Sequence, residues 1–152
     1  MAALYETFAY GKTSKDNTFK PIKIKRSDVG PDDVKFDVLF CGICHTDVHF
    51  ANDDMGISKW PLVPGHELAG VVTAVGANVK SVAVGDRVGV GCIVDSCMGC
   101  CQCGKSQEQY CEKGMTMTYS SDITHGHIGT DTGFTYGGYS GSLAVHERYI
   151  IK

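Results

Sequence analysis

The sequence predicts a mainly β fold with short helices, closed as a barrel or stacked as a sandwich. Three observations carry that expectation. Val34, Phe36, Val38 and Phe40 alternate with Lys35, Asp37 and Leu39, a two-residue period that lays one apolar face of a strand against a core. Further short runs rich in Val, Ile, Tyr and Phe are bounded by Gly, Pro or Asp. Nineteen glycines in 152 residues exceed the usual share of about 7%, and they fall where tight turns would join such strands, as at Gly76, Gly85-Asp86 and Gly137-Gly138.

In chain order, Leu4 to Tyr10 and Ile22 to Lys25 read as the first strands, and Val34 to Phe40 as the clearest one. Thr46-Asp47 predicts a helix start, because a short polar side chain there can cap the free amides of a turn carrying Val48 to Asn52. Leu68 to Val75, Arg87 to Val90 and Ser142 to Ile151 complete the strand candidates. Met115 to Gly138 is long and irregular, which in a compact domain points to a functional or mobile segment. No repeat, low-complexity stretch or linker divides the chain, so residues 1–152 read as one domain.

Composition excludes several classes of function. Lys and Arg number 14 against 17 Asp and Glu, a formal charge of -3 with no basic run to neutralise phosphates, so nucleic acid is not an expected partner. No stretch approaches the roughly 18 apolar residues of a membrane span, and Met1 to Lys12 lacks the basic region and apolar core of a secretion signal. A cytoplasmic location is expected. Five of the eight cysteines crowd between Cys97 and Cys111, which in a reducing compartment reads as metal binding rather than as a disulfide framework.

Within the loop at 92–115, Cys97, Cys100, Cys103 and Cys111 are separated by two, two and seven residues. That spacing lets one loop wrap four thiolates tetrahedrally around a structural zinc ion. An iron–sulfur cluster shares the first spacings, but its fourth cysteine follows after three residues and precedes proline, whereas Cys111 follows after seven and precedes Glu112. Cys101 could compete as a ligand, while Cys41 and Cys92 are expected to be small core residues. His125-Gly-His127 reads as a solvated loop.

Cys41-Gly-Ile-Cys-His-Thr-Asp-Val-His49 follows the clearest strand, and Pro64-Gly-His-Glu67 leads into the next. Both place potential ligands at strand ends, where a rigid sheet can fix loop geometry. With Val84 to Cys92, the four-cysteine loop and Tyr136-Gly-Gly-Tyr-Ser140, these ordered motifs resemble the medium-chain, zinc-dependent alcohol dehydrogenases, above all the cinnamyl alcohol dehydrogenase group. The resemblance covers nearly the whole chain. It implies a GroES-like β-barrel catalytic domain that interconverts small-molecule alcohols and aldehydes by hydride exchange with NADP or NAD.

The resemblance further implies that Cys44 and His66 ligate a second, catalytic zinc. It makes Thr46 and His49 a proton relay through the cofactor ribose, makes Asp47 the partner that orients His66, and turns His45 towards the cofactor pyrophosphate. Family members are usually homo-oligomers. Two parts of the family pattern are not found in the sequence: a strand–Gly-x-Gly-x-x-Gly–helix unit for a Rossmann cofactor domain, and the cysteine that serves as third catalytic ligand. Glu67 is the substitute candidate for that ligand, against an alternative in which its carboxylate pairs with a buried cation. The isolated chain is accordingly expected to be inactive. Two alternatives remain: a zinc-stabilised module that pairs with a subunit carrying the Rossmann domain, and an iron–sulfur or thiol redox protein.

Overall fold

The computed structural model describes residues 3–152. It contains eight strands and one short helix: β1 (Leu4–Gly11), β2 (Lys20–Ser27), β3 (Asp33–Cys41), α1 (His45–Asn52), β4 (Leu68–Val75), β5 (Arg87–Val90), β6 (Ile93–Asp95), β7 (Thr116–Met117) and β8 (Ser142–His146). The mainly β expectation holds. β5, β4, β3 and β8 form an antiparallel sheet in that order, while β1–β2 and β6–β7 are two-stranded ribbons. Isolated bridges, Ala9 to Ser140 and Arg26 to Thr130 among them, tie the β1–β2 ribbon to the later segments.

The core lies on one face of the four-stranded sheet. Val34 and Phe36 of β3 are fully buried and pack with Val72, Val88, Val90, Val94 and Val145. Phe40 departs from the expected alternation and is 74% exposed. The β3–β4 register slips between Val38 and Phe40, and an irregularity of one residue turns the following side chain to the opposite face. The last strand also stops early: β8 ends at His146, and a 3-10 turn over Glu147–Tyr149 replaces the expected continuation to Ile151.

Helix α1 starts two residues ahead of the predicted cap. Cys44 is its N-cap, and the Asp47 carboxylate accepts the Cys44 amide at 2.9 Å, so the acidic side chain serves the helix from inside its first turn. Phe50 and Ala51 bury its inner face against Leu62 and Tyr119.

Candidate functional site

Three segments meet at the end of the four-stranded sheet. The β3–α1 junction supplies Cys44, Thr46 and Asp47; Pro64 to Glu67 lead into β4; and Gly137 to Tyr139 precede β8. Gly137 N–H donates to Val63 O at 2.7 Å, Gly138 N–H to Gly65 O at 2.8 Å, and Tyr139 N–H to Pro64 O at 3.0 Å. Gly65 takes φ +101°, a conformation that side chains rarely adopt, with Cys41 Sγ and the Tyr139 ring on its open side. Arg26, 3% exposed, fixes this arrangement from beneath by donating to the carbonyls of Tyr136, Gly137 and Ser142, each at 2.6 Å.

The result is a convergence of one thiol, one imidazole and one carboxylate. Ligand atoms of Cys44, His66 and Glu67 all lie within 4.8 Å of one another. Glu67 is exposed, and no ion pair engages it among the described residues. His66 and Glu67 precede β4 rather than lying in it, so the opposite-face rule for neighbouring strand residues does not separate them. An open cleft of about 640 Å³ is lined by these three residues with Thr46, Gly89 and Cys92. Cys92 is exposed there, a correction to its expected place in the core; Cys41 is half-buried against the core.

Around the convergence, the Cys44 thiol donates to the Thr46 hydroxyl at 3.5 Å. Asp47, 4% exposed, accepts from Gly65 N–H at 2.9 Å and from the Tyr139 hydroxyl at 3.2 Å. Its Oδ1 is 3.7 Å from His66 Nδ1, an electrostatic contact longer than a hydrogen bond. On the exposed side of α1, the rings of His45 and His49 stand 4.8 Å apart, and His49 Nδ1 meets Asp54 Oδ2 at 2.8 Å. Burial raises the pKa of Tyr139 and that of Cys41 above their ordinary values, so both remain protonated at neutral pH.

The four-cysteine loop forms a separate cluster. The thiols of Cys97, Cys100, Cys103 and Cys111 lie within 4.8 Å of one another, and Cys97 Sγ is 4.0 Å from Cys103 Sγ. A tetrahedral zinc with four bonds of about 2.3 Å requires sulfur separations of about 3.8 Å, so the donor set fits one ion with little movement. Amides of Cys103 and Glu112 hold the Cys100 thiol down to about 6, and the Cys97 amide lowers Cys111, favouring the thiolate in these two. Cys103 is lowered by the Ser96 hydrogen bond but pushed up to about 11 by burial and the neighbouring thiols, which outweigh it. Cys101 is exposed and outside the cluster.

The loop is anchored to the sheet by residues that sequence reasoning passed over. Tyr149 donates to Ser96 Oγ at 2.8 Å, Ser96 Oγ contacts Cys103 Sγ at 3.3 Å, and Arg148 reaches both Cys103 O and Glu108. His127 is at the surface as expected, yet its Nδ1 meets the fully buried Asp95 at 2.7 Å. Tyr119 is a further residue the sequence did not mark: its ring lies against His66, 5.7 Å between centroids.

Comparison with known proteins gives a consistent picture. The family described as Alcohol dehydrogenase GroES-like domain matches residues 30–152. A rice protein (Oryza sativa subsp. japonica) named "Probable cinnamyl alcohol dehydrogenase 6" is 50% identical over 132 residues, covering 87% of this chain and 35% of its own length. The NADP-dependent alcohol dehydrogenase C 1 of Mycolicibacterium smegmatis is 48% identical over 145 residues, 95% of this chain and 40% of its own. Among solved structures, the one described as CAD from Helicobacter pylori complexed with NADP(H) superposes with a TM-score of 0.88 at 39% identity, over 99% of this chain and 42% of that one. The chain thus spans about two fifths of the length of these relatives.

Proposed function

Since this chain belongs to the Alcohol dehydrogenase GroES-like domain family, we propose that it is the substrate-side, zinc-holding part of an NADP-dependent oxidoreductase that interconverts alcohols and aldehydes. The observation that carries this reading is the convergence of Cys44, His66 and Glu67 within 4.8 Å in an open cleft beside Thr46. One thiolate, one imidazole and one carboxylate suit a zinc site with three protein ligands and a fourth position open to substrate. Zinc held there supplies a Lewis acid that lowers the pKa of a bound alcohol hydroxyl. The preference for NADP is supported by its presence in the names of the relatives from M. smegmatis and H. pylori.

The chain's own groups have distinct tasks in this reading. Cys44, His66 and Glu67 hold the metal, while Thr46 sits at the cleft wall to take the alcohol's proton. His49, held by Asp54 through Nδ1, keeps Nε2 for passing that proton onward, and His45 beside it turns towards the cofactor. Asp47 is the buried carboxylate that ties the Cys44 and His66 segments together. Cys97, Cys100, Cys103 and Cys111 hold a second, structural zinc that has no open position.

Elemental mass spectrometry on protein purified without added metal or chelator tests this assignment. Two zinc ions per chain are expected, falling to one in Cys44→Ala. A parent chain that binds a single zinc, lost in Cys103→Ser and unaffected by Cys44→Ala, would refute the catalytic site.

A further inference from the structure

None of the roles above uses Tyr119, although it touches His66. Its side chain is 2% exposed, in the irregular segment between β7 and β8. The ring stacks on the His66 imidazole at 5.7 Å with only 17° between planes, and Phe50 packs against it in a T-shaped contact at 5.1 Å. A ring packed in a buried cluster with Phe50, Ala51 and Leu62 is a stiff wall against which the imidazole can tilt little.

The hydroxyl is buried and, among the described residues, makes no hydrogen bond of good geometry; it approaches the Asp47 carboxylate without completing one. Such a group is costly unless it is satisfied in the state that functions. Asp47 is its charged neighbour. That carboxylate accepts from Gly65 N–H, Cys44 N–H and the Tyr139 hydroxyl, which fills three of about four acceptor positions. Among the described residues it has no side-chain cation within hydrogen-bond reach, His66 Nδ1 being 3.7 Å away.

We propose that Tyr119 is a positioning residue for the metal ligand His66: its ring sets the tilt of the imidazole, and its hydroxyl becomes the fourth donor to Asp47 when the site closes on its ion. The inference rests on the metal site proposed above. In the closed state, Asp47 holds the Cys44 loop, the Gly65 loop, Tyr139 and Tyr119 together, and His66 faces Cys44 and Glu67 in one orientation.

The test uses this chain with zinc in the four-cysteine loop and cobalt(II) titrated into the second site, read by visible absorption. Tyr119→Leu removes the stack, and Tyr119→Phe removes the hydroxyl alone. Residues that orient metal ligands typically alter affinity by about 10–100-fold, which is the weakening expected for the leucine variant, with shifted cobalt bands. Roughly fivefold is expected for the phenylalanine variant, the worth of one hydrogen bond. Zinc in the cysteine loop should be retained in both, which separates a local effect from general unfolding.

Cobalt affinities within twofold of the parent, with unchanged bands, would overturn the proposal. If the leucine variant loses its loop zinc or its cooperative melt, the phenylalanine variant decides by the same criterion. A parent that takes up no cobalt beside its loop zinc sinks the second-site reading itself, and Tyr119 with it.

Discussion

Replacing Gly137 by alanine should damage the His66 site from a distance of many residues in sequence. A Cβ at Gly137 would stand 2.5 Å from Gly65 O and closer still to Pro64 O. Ordinary contact begins near 3.4 Å, so the Pro64–Gly65 backbone must retreat by roughly 1 Å, a shift that overpacked cores accommodate at a cost of about 1–3 kcal/mol. For a domain of this size, that corresponds to a melting temperature lower by roughly 2–12 °C. His66 follows Gly65 directly, and metal–ligand bonds tolerate displacement of only about 0.2 Å. Cobalt titration should therefore show affinity at the Cys44–His66–Glu67 site weakened by about tenfold or more, while the cysteine loop keeps its zinc. Unchanged melting together with unchanged cobalt affinity would show that the 137–139 segment does not set the position of His66.

Cys103→Ser, which alters the fully buried member of the sulfur cluster, should lower zinc content by one ion and open residues 92–115 to proteolysis, measured by mass spectrometry of the fragments. Arg26→Met leaves the carbonyls of Tyr136, Gly137 and Ser142 without their donor; thermal melts should show a loss of about 2–4 kcal/mol, since unsatisfied buried groups cost about 1–3 kcal/mol each and partial rearrangement recovers some of it. Glu147 is held below its usual carboxylate value, first by the amide of Lys80, with the Ser81 hydroxyl and amide adding to the effect. Its contribution is thus present in full above the ordinary value of 4.5 and disappears as pH falls through the lower folded value. Glu147→Gln should lower the melting temperature at pH 7 and lose that difference in strong acid; a gap of equal size at both pH values would contradict this.

The parts of the fold that were legible in sequence are those with a repeating pattern or a fixed spacing. Val34 and Phe36 announce β3 through alternation, and the cysteine cluster through its intervals. Phe40 misleads because a register slip between strands has no signature in one strand's own residues. β6 and β7 are three and two residues long, too short for any period to show. The helix start was misplaced because Asp47 caps backwards from the third position rather than forwards from the first. Cys44 and His66 were found by motif, but Tyr119 was not, since its role comes from a ring packed across the fold in a segment without regular structure. Arg26 and Gly137 likewise acquire meaning only when distant segments meet.

The bond from Tyr139 to Asp47 spans 92 residues, whereas Cys97 and Cys111 are 14 apart. Closing the longer loop costs about 1.7 kcal/mol more in chain entropy, taking the logarithmic dependence on length. The two sites are therefore expected to form at different times as the chain folds. Four neighbouring thiols can seize an ion while much of the sheet is still unformed, but Cys44, His66 and Glu67 acquire their supports only after the segment at 137–139 has docked. Metal uptake followed in time should resolve into an early capture and a late one, and the late step would report completion of the native topology.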